Sequence, residues 1–159
     1  MDEVLPESSI VNCKWPNDVL VDKRKISGIL LEAQAKPQGD MDWLIIGIGI
    51  NIKSFPKNTE FPATSLFQEG AEEKNICTEV MLELFCRRFL VRYGLWKKTG
   101  FDPIRKAWLS RAAWLNEEIT VHLEGKILRG EFKALDKDGA LVLLRNGDKQ
   151  RITTGDIFL

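Results

Sequence analysis

Lys14-Trp15-Pro16-Asn17-Asp18-Val19-Leu20-Val21 is the stretch on which the reading of this chain turns. A cation and an indole stand before a proline, two turn-forming polar residues follow, and then an apolar run begins. Ile10 to Trp15 reads as one short strand and Val19 to Val21 as a second. Pro16-Asn17-Asp18 supplies the turn, because proline presets φ and Asn and Asp bond back to their own backbone. Asp22-Lys23-Arg24-Lys25 makes a charged, tight connection into a third strand, Lys25 to Gln34, with Gly28 inside it. After a loop at 35–41, Asp42 to Lys53 is a fourth strand containing Gly47-Ile48-Gly49-Ile50-Asn51. The two-residue period of a strand puts Gly47, Gly49 and Asn51 on one face and Ile46, Ile48 and Ile50 on the other. Glycines inside a strand weaken it, and they commonly mark a bulge or a place where something approaches the backbone closely. Short strands joined by tight turns predict an antiparallel meander.

Beyond it, residues 54–75 read as an irregular surface loop with one short helical turn. A helix is predicted over about 78–98, with Met81, Leu84, Phe85, Phe89, Val91 and Trp96 near the 3.6-residue period. Asp102-Pro103 predicts a capped second helix over 103–113, lined by Ile104, Ala107, Trp108 and Arg111. After Asn116 the pattern becomes alternating strands: Glu118–Glu124, Lys126–Leu135, Ala140–Arg145 and Lys149–Thr153. Asn146-Gly147 between two such runs is the strongest hairpin signal in the chain. Four or five strands in so few residues suit a small SH3-like barrel. The expected fold class is therefore α+β, a partial mixed or antiparallel sheet with helices over 1–115, then the barrel over 116–159.

Composition narrows the function classes. The chain has 159 residues, 44% hydrophobic and 29% charged, with 23 basic and 23 acidic side chains. Zero net charge gives no global field for nucleic acid or for an anionic membrane. No apolar run reaches the ~18 residues of a membrane span. The N-terminus has no secretory pattern, and Cys13, Cys77 and Cys86 form no CxxC pair, so reduced thiols and a cytoplasmic location are expected. His122 is the single histidine, and no metal site is expected.

Taken together, Lys14-Trp15-Pro16-Asn17-Asp18-Val19-Leu20-Val21, Arg24-Lys25-Ile26-Ser27-Gly28-Ile29-Leu30-Leu31-Glu32 and Ile46-Gly47-Ile48-Gly49-Ile50-Asn51 resemble the biotin protein ligases, also called biotin–[acetyl-CoA-carboxylase] ligases or holocarboxylase synthetases. The similarity covers the C-terminal part of their class II synthetase-like catalytic domain and their SH3-like terminal domain. It is sharp over 13–52 and looser after 75.

The resemblance implies ATP-dependent synthesis of biotinyl-5′-adenylate, then transfer of biotin to a lysine of a biotin carboxyl carrier domain. Biotin and ATP are the implied substrates, with Mg2+. Lys14 matches the family's lysine at the biotin carbonyl and adenylate phosphate, where a cation stabilises developing charge. Gly47 and Gly49 match the strand along which the adenylate lies, and Asn51 matches an asparagine facing the adenine. Gly28 is expected to line the same pocket. Trp15, Asn17, Asp18 and Lys25 are expected to support it, with Asn17 and Asp18 holding the Lys14 loop. Asp156 corresponds to an acidic residue of the family's terminal domain.

The family's Gly/Arg-rich segment, which precedes the lysine motif, has no counterpart in this sequence. The expectation is therefore that residues 1–159 alone do not make the adenylate, and that an N-terminal ligase half or a second copy covers the open sheet. The competing readings are a non-catalytic module that binds a carrier domain or a ligase, and a lipoate-ligase relative.

Overall fold

Positive backbone φ at Asp22 (46°) and Lys23 (65°) closes the first hairpin. Two consecutive left-handed residues make the type I′ turn whose twist matches that of the strands it joins. They connect β2 (Asp18–Val21) to β3 (Arg24–Ala35), with Val21 opposite Arg24. Neither residue is a glycine or an asparagine, so the sequence announced a tight connection but not its type. The computed structural model describes all 159 residues, which divide into two compact units. Met1–Val11 with Asn17–Ile76 form the first, and Asn12–Pro16 with Cys77–Leu159 form the second.

In the first unit β3 pairs antiparallel with β4 (Met41–Ile50), as the meander reading expects. The register sets Gly28 opposite Gly49 and Leu30 opposite Gly47. Leu20, Val21 and Ile26 are buried beneath the hairpin. Leu30, Leu31, Trp43, Leu44 and Ile45 of the far end of the β3–β4 ribbon are exposed. The segment after β4 departs from the surface loop expected. It contains the predicted short helical turn (Glu73–Asn75), yet Thr64, Ser65 and Leu66 are completely buried. The backbone explains this. Lys25 N–H donates to Pro62 O (2.7 Å), Thr64 N–H to Lys25 O (2.9 Å) and Leu66 N–H to Asn51 O (2.9 Å). The segment thus satisfies polar groups at the start of β3 and the end of β4, which buried backbone requires.

In the second unit, α1 (Thr78–Thr99) and α2 (Asp102–Leu109) precede five strands: β5 (Glu118–Leu123), β6 (Lys126–Leu135), β7 (Leu141–Arg145), β8 (Asp148–Ile152) and β9 (Asp156–Phe158). They form one antiparallel sheet in the order β8-β7-β6-β5-β9. Asn146 (φ 52°) and Gly147 (φ 87°) close the β7–β8 hairpin as their sequence predicts. Ile119, Val121, Leu128, Phe132, Leu141, Leu143 and Ile157 make its core. The fold is α+β, as expected from the sequence.

The helices differ from their predicted faces. Of the α1 stripe only Met81 is buried; Val91 and Trp96 are exposed, as are Leu82 and Leu90 between the stripe positions. Apolar residues all round a helix leave the 3.6 period unable to name one inward face. The chain of α2 turns away at Leu109, four residues early. Asp102 starts that helix with its carboxylate engaged by Arg105 (2.5 Å) and Lys106 (2.8 Å) rather than capping it. Those two partners hold the Asp102 carboxyl below its ordinary pKa.

β1 (Val11–Lys14) ends within the second unit, where Cys13 N–H donates to Arg111 O (2.7 Å) and Ala113 N–H donates to Cys13 O (2.8 Å). The loop after α2 therefore grips the strand that carries Lys14 on both its polar groups.

Candidate active site

Cross-strand partners project to the same face of a sheet. Gly28 opposite Gly49 therefore clears two adjacent positions on one face, and backbone alone floors the space above them. A cavity of about 500 Å³ lies there. Lys25, Gly28, Gly49 and Asn51 line it, together with Thr59 and Phe61. Gly47 stands two residues along β4 from Gly49 on the same face, outside the cavity lining.

The glycines differ in what they exclude. A Cβ on Gly28 would stand 3.4 Å from Asp18 Oδ1 and from Lys25 Nζ. Those atoms form an ion pair of 2.6 Å across the glycine. A Cβ on Gly49 would meet nothing nearer than Gly28 O at 4.0 Å, and one on Gly47 would meet Leu30 O at an ordinary 3.5 Å. Gly47 and Gly49 do not have a left-handed φ. Neither backbone strain nor packing within the unit explains a glycine at 49, and a strand pays in stability for having one there.

Asn51 is fixed by the folded-back segment. Its side-chain N–H2 donates to Thr64 O (2.8 Å) and to Lys25 O (3.5 Å). The amide nitrogen is thus spent on backbone, and the amide oxygen remains as its group for a ligand. The Asn17 amide donates to Ile29 O (2.6 Å), and Asn17 O accepts from Ile29 N–H, tying the turn to β3. Asp18 is buried and serves Lys25. Arg24 pairs with Glu69 at 2.9 Å, and Glu69 also accepts from the Thr64 hydroxyl. This clamps the segment bearing Thr59 and Phe61 over the strand ends. Those two lining residues escaped the sequence reading, because nothing in an irregular Pro-containing stretch says which strand it folds back upon.

Lys14 and Trp15 belong to the second unit. Lys14 is 3% exposed, far from the solvated state usual for lysine, and its Nζ lies 5.2 Å from the centroid of the Phe158 ring. Trp15 is equally buried, and its indole N–H donates to Gly139 O (3.2 Å). Asp156, on β9, pairs with His122 of β5 in the backbone register. No cluster of three or more His, Cys, Asp or Glu side chains is placed to hold a metal ion, and no helix is long and apolar enough to cross a membrane.

Residues 2–110 match the model of the biotin/lipoate A/B protein ligase family, and residues 114–159 match the biotin protein ligase C-terminal domain. A biotin–[acetyl-CoA-carboxylase] ligase of Paracoccus denitrificans is 33% identical over 150 residues, covering 91% of this chain and 61% of that protein. The bifunctional ligase/repressor BirA of Bacillus subtilis is also 33% identical over 150 residues, covering 92% of this chain and 45% of its own length. Among solved structures, the Aquifex aeolicus biotin protein ligase in complex with biotin and ATP superposes with a TM-score of 0.70 at 26% identity, over 93% of this chain and 61% of that one. The chain thus spans roughly half to three-fifths of the relatives it matches.

Proposed function

The chain belongs to the biotin/lipoate A/B protein ligase family, and on that premise we propose that it carries the adenylate-binding strands of a biotin–protein ligase. The observation that bears most on this reading is the pairing of Gly28 with Gly49 beneath an open cavity. The proposed reaction has two steps. A biotin carboxylate oxygen attacks the α-phosphorus of ATP and pyrophosphate leaves. The amine of a carrier-domain lysine then attacks the acyl carbon of biotinyl-5′-adenylate, and AMP leaves. The nucleotide brings magnesium as Mg-ATP, and nothing in the mechanism is routed through this chain's carboxylates.

Each residue has a task that follows from its chemistry. Gly28 and Gly49 let a flat, extended ligand lie against bare backbone. The Asn51 oxygen accepts a hydrogen bond from the exocyclic amine of adenine, its nitrogen being engaged by Thr64 and Lys25. Phe61, folded over the cavity, offers an apolar face to the base. Lys14 supplies positive charge to the carboxylate and phosphate oxygens, where a buried ammonium is worth more than a hydrated one. The acceptor is a biotin carrier domain, and the relatives named as biotin–[acetyl-CoA-carboxylase] ligase support that partner.

The test is calorimetric titration with a non-hydrolysable biotinyl-adenylate analogue, beside its lipoyl counterpart. The biotinyl compound is expected to bind, and the lipoyl compound to bind at least about tenfold more weakly. Absence of biotinyl binding, or a preference for the lipoyl analogue, rejects the assignment.

A further inference from the structure

The second unit holds the lysine strand through three separate contacts. Cys13 is bonded on both sides by Arg111 and Ala113, the Trp15 indole is anchored on Gly139 O, and Lys14 Nζ stands over Phe158. The last of these bears on the function just proposed, and the inference rests on that reading of Lys14. Lysine has four rotatable side-chain bonds and no planar group to preorganise it, so a lysine that must meet a developing anion has to be held. An aromatic face attracts a cation through its quadrupole, with a strength that grows as water is removed. Lys14 is nearly water-free. The ring itself is fixed: Phe158 pairs with Thr120 on β5, its neighbour Ile157 is fully buried, and the His122 ring lies 4.5 Å from the Phe158 ring at a tilt of 37°.

We propose that Phe158 is a positioning residue for Lys14, so that β9 of the terminal sheet takes part in the adenylate chemistry by holding the ammonium with its ring. Neither residue type alone points there. Lys14 lies in the motif and Phe158 lies 144 positions later in an unremarkable Asp-Ile-Phe-Leu run.

Trace acylation of the 159-residue chain with acetic anhydride, read by peptide mass spectrometry, tests the contact. Lys133, paired with Glu131 on β6 of the same sheet, serves as the internal reference for folding. Phe158→Leu keeps an apolar side chain and removes the ring. It is expected to raise Lys14 acylation relative to Lys133 about tenfold, in line with loss of a desolvated cation–π contact. Phe158→Tyr, which keeps the ring, should stay within about twofold of the parent.

The same pair of variants is titrated with the biotinyl-adenylate analogue, where Phe158→Leu should bind about tenfold more weakly and Phe158→Tyr like the parent. A ratio unchanged in Phe158→Leu, or raised as much in Phe158→Tyr, overturns the proposal. If Phe158→Leu does not fold, His122→Ala gives the same comparison by releasing the ring, and an unchanged Lys14 ratio there overturns it as well. If the parent chain binds no analogue, the ligase reading fails, while the acylation ratio still decides whether the ring holds the lysine.

Discussion

Gly49→Ala separates a residue that serves the fold from one that serves a ligand. The added Cβ has no atom of the unit closer than 4.0 Å, and the backbone at 49 has no left-handed φ to strain. Replacing a strand-interior glycine removes backbone freedom from the unfolded chain, a gain of about 0.4–1 kcal/mol when the native conformation is compatible. The variant should therefore be as stable as the parent or slightly more so. Binding should move the other way. A ligand resting on the bare strand sits about 3.5–4.0 Å from backbone carbon, and the new methyl group takes that shell. Overpacking of this kind costs about 1–3 kcal/mol, a five- to 150-fold rise in Kd. Urea unfolding gives the first quantity and titration with the biotinyl-adenylate analogue the second. A Gly49→Ala chain that is folded and binds like the parent would refute the reasoning, and so would one that is clearly destabilised.

Gly130→Ala makes the opposite contrast: its Cβ would stand 2.6 Å from Leu144 O and 3.0 Å from Leu143 Cγ, so a loss of about 1–3 kcal/mol is expected in urea unfolding with analogue affinity unchanged. Lys25→Met removes the ion pair of 2.6 Å that Lys25 makes with the buried Asp18 carboxylate; because Lys25 is itself partly exposed, a cost of about 1–2 kcal/mol is expected rather than the full penalty of a buried pair. The Arg151 guanidinium, with the Asp138 and Ala140 N–H groups, holds the Asp136 carboxyl below its ordinary pKa. A carboxylate depressed in the folded state stabilises above its unfolded pKa and loses that contribution as pH falls through the folded value. Thermal melts should therefore show Asp136→Asn less stable than the parent at neutral pH, with the two converging in acid; a gap that persists at low pH would contradict the assignment.

Elements were legible where a local rule acts alone. Asn146-Gly147 needs no partner to make a type I′ turn, and the strands either side of it were readable to within a residue. The glycines of β4 were also visible as an anomaly of strand composition. What a single strand could not show was register. Only the pairing of β3 with β4 sets Gly28 opposite Gly49 and turns two isolated glycines into one floor. The same limit explains Thr59 and Phe61. They reach the cavity because Arg24, Lys25 and Asn51 catch the segment that follows β4, through contacts between residues 13 to 45 positions apart. Helix α1 lies where its sequence predicts, but its inward face was not legible, for a different reason. Its apolar residues surround the axis, so periodicity had no single face to report.

The motif that opened the sequence reading divides between the two units. Lys14 and Trp15 are held by the terminal sheet, through Phe158 and Gly139, while Asn17 and Asp18 serve the strand pair through Ile29 and Lys25. A reading from sequence adjacency gives Asn17 and Asp18 the task of supporting Lys14. Their bonds to Ile29 and Lys25 also keep β2 and β3 in the register that clears the Gly28–Gly49 floor. Changes at Trp15 should disturb the lysine and leave the floor intact. Changes at Asp18 should loosen the floor, and the Lys25 pair with it.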